Sequence, residues 1–110
     1  MRSVLETISE QRRLRILELI WEKERSASEI ARAFKNITFG AISQHLGVLL
    51  AVEAVSVRRE GRMRFYRARK ERLGPFAPAL EAMWRDQLAK LKELSEAEAN
   101  RAVPHEKNAS

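Results

Sequence analysis

The apolar positions Ile37, Ile42, Leu46, Leu49 and Leu50 are spaced to bury one side of a helix running from about Phe39 to Ala51. Its other side carries Thr38, Gly40, Ser43, Gln44 and Gly47, which are small or hydrogen-bonding and bear no charge. A helix with one buried face ordinarily turns Lys and Glu to water. This outer face has another purpose than solubility.

Upstream, the helical pattern from Val4 to about Glu24 places Leu5, Ile8, Leu14, Ile16, Leu17, Ile20 and Trp21 on the apolar side. A break near Ser9 divides it into a short and a longer helix. Ser26 followed by Glu29 is a capping box, in which each residue satisfies a free N–H of the other at a helix start. The helix it opens is short, Ala27 to Phe34, with Ile30, Ala31 and Phe34 inward. Asn36 and Thr38 mark the next turn, and Thr38 is a good N-cap for the helix over 39–51.

Downstream the period shortens to two. Val55 and Val57, then Met63 and Phe65, alternate with polar residues, and Glu60-Gly61 between them predicts a tight hairpin turn. The result over 55–68 is a two-stranded ribbon with arginines at its tip. Pro75 and Pro78 set the start of a last helix, where a missing N–H costs little. In it Phe76, Leu80, Met83, Trp84, Leu88, Leu91 and Leu94 recur at steps of three and four. That stripe is more than the hairpin can cover. It fits a helix paired with its copy in a second subunit; packing on the chain's own first helix is the other reading, and the two are compatible. Residues 101–110 show no periodicity and are expected to be a disordered tail, leaving 1–100 as one domain.

The predicted fold is mainly α with a two-stranded β-hairpin. Two short helices joined by a tight turn and followed by a basic ribbon make a winged helix-turn-helix, whose second helix lies in the DNA major groove.

Composition narrows the picture. The 110 residues are 45% apolar and 33% charged, a globular balance, and the absence of cysteine excludes disulfides, thiolate metal sites and thiol redox chemistry. The start of the chain is charged throughout, unlike a signal peptide, and no apolar run nears the roughly 18 residues of a membrane span. A cytoplasmic protein is expected. The net charge of +6 is concentrated: Arg58 to Arg72 holds eight basic residues against two acidic, and the rest holds thirteen of each. Such concentration points to an anionic partner docking at one place.

Base edges in the major groove are hydrogen-bond donors and acceptors, and a Gln amide matches adenine in two bonds at once. Gln44, with Ser43 beside it, is the expected base contact, and Thr38 and Phe39 point toward the groove, where a phenyl ring meets a thymine methyl. Gly40 and Gly47 each cost roughly 1 kcal/mol of helix stability against Ala, explained by close approach to a backbone or phosphate. For Gly47, packing on a neighbouring element is an equal alternative. Arg58, Arg59, Arg62 and Arg64 suit phosphate or minor-groove contact, as do Arg67 and Arg69 farther along; a solvated strand face is the bland reading. Tyr66 has two readings, a phosphate hydrogen bond and a structural cap on the sheet. His45, far in sequence from His105, reads as a helix-packing or phosphate-contacting residue rather than a metal ligand. Glu18, Glu22 and Glu24 lie among bases at helical spacing, as a solvated face does. No nucleophile–base set, paired catalytic carboxylates or phosphate-binding glycine loop is present, so no enzyme, metal or cofactor is expected.

These segments resemble the ArsR/SmtB family of winged-helix repressors over roughly Ser9 to Ala68, and more weakly through the last helix. The resemblance is carried by "EQRRLRILELI", "SASEIARAF", "TFGAISQHLGVLLAVEAV" with its Ser43-Gln44-His45-Leu46, and "VRREGRMRFYRA" as the wing. It implies a homodimeric repressor on a palindromic operator, dimerising through its first and last helices, here Leu5 and Ile8 with Phe76, Leu80, Met83, Trp84, Leu88 and Leu91. Metal-sensing members use cysteines before the reading helix or histidines and acids in the last one. Here the first place reads "SASEIAR" and residues 70–99 hold no histidine, so a non-metal member is implied. Where the family often has a glycine after the reading helix, this chain has Val52-Glu53-Ala54. The alternatives are a protein-interaction winged helix meeting an acidic protein, and a ligand-responsive sensor.

Overall fold

The computed structural model describes residues 3–109, with side chains described from 3 to 99. In chain order the elements are α1 (Val4–Ile8), α2 (Gln11–Leu19), β1 (Arg25–Ser26), α3 (Ala27–Arg32), α4 (Phe39–Ala51), β2 (Val55–Glu60), β3 (Met63–Ala68), α5 (Lys70–Leu73) and α6 (Phe76–Ala109). They form two compact units, Met1–Ala77 and Pro78–Ser110.

In the first unit the break falls where the pattern places it. Ser9 closes α1 and Glu10 opens α2, its carboxylate accepting the Arg13 N–H at 3.0 Å. Helix α2 ends at Leu19 rather than continuing to Glu24, because the Ile20 carbonyl turns to accept the Ala68 N–H of β3 at 3.1 Å. The capping box of α3 forms in full, with Ser26 N–H to Glu29 at 3.0 Å and Glu29 N–H to the Ser26 hydroxyl at 3.1 Å. Helix α3 stops at Arg32, short of Phe34. Its last N–H groups, on Ala33 and Phe34, tighten to acceptors three residues back, and Asn36 turns the chain at φ 60°. Asparagine tolerates that left-handed conformation.

Helix α4 has the expected bounds, and the Thr38 hydroxyl caps it by accepting the Ala41 N–H at 3.0 Å. Its inner residues Ile42, Leu46 and Leu49 are buried with Ile16 and Leu17 of α2 and Ile30 of α3. This core fixes which side of α4 is left for water.

The expected two-stranded hairpin forms as β2 and β3, and β1 adds a third antiparallel strand in the order β1-β3-β2. Strand β1 is two residues long, too short to show an alternation. In the hairpin Val55 pairs with Ala68 and Val57 with Tyr66, so Tyr66 and Ala68 share the valines' face. Met63 and Phe65 lie on the opposite face, because side chains alternate along a strand. Gly61 takes φ +61° at the first turn position, as a two-residue type II′ hairpin requires.

Thr7 of α1 is 0% exposed, and its hydroxyl has no hydrogen-bond partner among the described residues. Thr7→Val removes an unpaired buried polar group while keeping the β-branched shape. A stability gain of about 1 kcal/mol, or a Tm rise of about 4–8 °C, is expected in thermal unfolding.

The second unit is α6 from Pro78 onward. Along it Leu80 is buried, Met83 and Trp84 are half-buried, and Leu88, Leu91 and Leu94 are 69%, 63% and 59% exposed. The tail expected over 101–110 falls on residues whose side chains lie outside the described ones; the backbone helix is traced through Ala109. No helix among the described residues is long and apolar enough to cross a membrane.

Candidate nucleic-acid interface

The outer face of α4 is set by its inner one. With Ile42, Leu46 and Leu49 inward, Phe39, Gly40, Ser43, Gln44 and Gly47 are exposed, Phe39 to 53%. The capping bond uses Thr38 only as an acceptor and leaves its hydroxyl proton to donate outward. A Cβ built on Gly47 meets nothing within 4 Å, and one on Gly40 meets only the Thr38 hydroxyl at 3.9 Å. No neighbour among the described residues requires glycine at 47, which does not fit the packing alternative.

Beside this face lies the hairpin. A cleft of about 260 Å3 is lined by Phe39 and Ser43 of α4, by Arg62, Met63, Arg64 and Tyr66, and by the start of α3. A second concavity of about 270 Å3 at the tip is walled by Arg59, Arg62 and Arg64. The side chains of these three arginines make no ion pair or hydrogen bond among the described residues. Arg59 and Arg64 are moreover direct cross-strand partners, and like charges so placed repel. An incoming anion would relieve that repulsion.

Three expected contact residues have other work. Arg58 is held by Glu24, with Nε–Oε2 at 3.3 Å and Nη2–Oε1 at 2.6 Å, and by Glu60 at 2.8 Å, while lying 4.8 Å over the Phe65 ring. The Arg58 hydrogen bonds hold the Glu24 carboxyl below its ordinary pKa, and the bond to Glu24 raises that of Arg58 in turn. Arg58 is thus committed within the chain rather than free for phosphate. His45 is only 17% exposed, and its Nδ1 accepts from Arg13 Nε at 3.2 Å, with Glu10 at 3.9 Å. It ties α4 to α2, which is the helix-packing reading. Tyr66 is 5% exposed and forms the inner face of β3, so its structural reading is the one the burial fits.

The sequence reading missed Glu24, taken for a solvated helical acid; it lies past the end of α2, just before β1. Only the sheet order reveals its role. Met63, 51% exposed in the cleft, was likewise assigned to an apolar alternation. Among the described residues no cluster of His, Cys, Asp or Glu is arranged to hold a metal ion.

Residues 10–57 match the family described as "Bacterial regulatory protein, arsR family". The transcriptional repressor SdpR of Bacillus subtilis is 36% identical over 66 residues, 60% of this chain and 72% of that protein. The chain belongs to the ArsR family. Its winged helix-turn-helix fold is shared with a solved structure described as a possible transcriptional regulator for arsenical resistance, at TM-score 0.65 and 31% identity, covering 84% of this chain and 96% of that one. The uncharacterized HTH-type transcriptional regulator Rv0081 of Mycobacterium tuberculosis is 37% identical over 60 residues, 54% of this chain. The match spans about half, 53%, of that relative's length. Its crystal structure superposes at TM-score 0.60 with 31% identity, over 82% of this chain and 86% of that one. The family consists of regulators, not enzymes, and this ArsR-family chain carries a winged helix-turn-helix fold that includes the helix over 39–51 and the hairpin over 55–68.

Proposed function

We propose that this protein is a homodimeric transcriptional repressor, acting in the cytoplasm, that binds a palindromic DNA operator through helix 39–51 and the basic wing 55–68. One observation carries the reading: an uncharged, exposed helix face stands beside three arginines whose side chains have no partner among the described residues. Gln44 and Ser43 read base edges, Thr38, Phe39 and Gly40 lie at the groove, and Arg59, Arg62 and Arg64 hold phosphates. Of the dimerising positions, Leu5, Leu88 and Leu91 are exposed for a partner, whereas Ile8 at 2% is inside the core of its own unit.

Selecting bound sequences from a random DNA pool with purified protein yields the operator if one exists. On that operator and on random duplex, Gln44→Ala is expected to lose about 1–3 kcal/mol of discrimination. Arg62→Ala is expected to weaken both complexes about equally. Equal loss on both DNAs for Gln44→Ala removes the base-reading role.

Gly47→Ala separates stability from function. Nothing among the described residues blocks the added methyl, so the helix is expected to gain roughly 1 kcal/mol in thermal unfolding. Operator affinity in a gel shift falls, because the methyl stands between helix and duplex. Unchanged affinity would show that DNA does not approach this position closely.

A further inference from the structure

Two carboxylates, Glu24 and Glu60, sit beside a wing that the proposed function brings against a polyanion. Each alone would repel DNA, and the sheet gives them a reason to be there. Strand β2 is an edge strand, held only by β3. Strand β1 reaches only Phe65 and Tyr66 of β3, so the hairpin beyond them, with Arg59, Arg62 and Arg64, projects as a two-stranded ribbon. Such ribbons twist readily about their long axis.

Arg58 lies across the base of this ribbon. It starts on β2, directly opposite Phe65, and its guanidinium crosses the Phe65 ring at 4.8 Å. Beyond β3 it meets Glu24, which immediately precedes β1, in two hydrogen bonds of 3.3 and 2.6 Å. Its remaining nitrogen donates to Glu60, two residues farther along β2, at 2.8 Å. One side chain thus spans all three strands. A planar guanidinium stacked on a ring and paired at both edges has one orientation, which an ammonium at the same place would not have.

We infer that Glu24, Arg58 and Glu60 form a staple that fixes the roll of the wing, so that Arg59, Arg62 and Arg64 meet the same duplex that α4 reads. The acids are positioning residues for DNA binding, and they raise affinity despite carrying the wrong charge. This inference rests on the wing's contact with DNA, and its test is built so that the two can fail separately.

Simple electrostatics and the staple predict opposite signs. Removing a carboxylate near DNA relieves repulsion and should tighten binding. Glu24→Gln is expected to do the reverse, weakening binding to a random-sequence duplex of about 30 base pairs by about threefold or more, as loss of an ordered charged network would. The slope of log K against log salt should stay at the wild-type value, since the same arginines reach the same phosphates once the ribbon has rolled into place and only the cost of ordering it is added. Arg58→Lys, which keeps the charge but not the stacked fork, should weaken binding to a similar extent with the slope retained. Far-UV circular dichroism and Tm of both variants control for folding. Wild-type or tighter binding by Glu24→Gln overturns the staple, provided the wild type binds and Arg62→Ala weakens it in the same assay. Failure of the wild type to bind, or an Arg62→Ala variant that binds as well as the wild type, overturns the DNA reading itself.

Discussion

Replacing Arg59, Arg62 and Arg64 together with alanine is expected to lower DNA affinity by about two orders of magnitude per wing at about 0.15 M salt. The magnitude follows from counterion release. Each phosphate neutralised contributes about 0.9 to the slope of log K against log salt, a factor of about five per contact at that ionic strength. Three contacts therefore remove about 2.7 from the slope when one wing engages, and about 5.4 when two do. The same titration thus counts wings. The side chains of these arginines are exposed and without partners among the described residues, so their loss leaves the described packing intact. Removing Arg59 or Arg64 even relieves the cross-strand repulsion between them. An unchanged slope with Tm retained would exclude phosphate contact by the wing.

Most of α4 was legible in the sequence because one helix face against a core is a strictly periodic constraint. Ile42, Leu46 and Leu49 specify the buried side, and with it Ser43 and Gln44 on the exposed one. The capping box at Ser26 and Glu29 was equally local and formed as read. What escaped was set by contacts between distant segments. The two-residue β1 exists because β3 offers Phe65 and Tyr66 to pair with, and the side chain of Arg58 is taken up by Glu24, 34 positions away. The short α5, Lys70–Leu73, has too few residues for a period.

Glu53 shows the same division. It sits past the end of α4 at φ 61°, where glycine would be unstrained. The Ala54 N–H reaches the Leu49 carbonyl and the Glu53 N–H that of Leu50, both at 3.0 Å, which is a full Schellman closure without glycine. Its carboxylate is held by Arg72, and by Arg69 at 3.8 Å, in the segment after the wing. The sequence shows that the glycine is missing. Only the fold shows the two arginines that offset the strain.

The Leu88→Glu/Leu91→Glu double variant is expected to be monomeric and to lose binding to a two-half-site operator while keeping affinity for a single half-site. Both leucines lie on α6 at 69% and 63% exposure, so the change leaves the core of the first unit untouched. Glutamate is a good helix former, so α6 itself is retained. In a symmetric pair each substitution counts twice. Four leucines returned to water at about 1.5 kcal/mol each remove about 6 kcal/mol of association, roughly four orders of magnitude in the dimer constant. Sedimentation should then report the mass of one 12.7 kDa chain where the wild type reports two. Binding to the full operator falls because a second reading helix, no longer tethered about one helical turn of DNA away, must bind independently. A variant that stays dimeric would place the interface elsewhere than on this stripe. One that becomes monomeric yet still holds the full operator at wild-type affinity would show that a single reading helix and wing suffice.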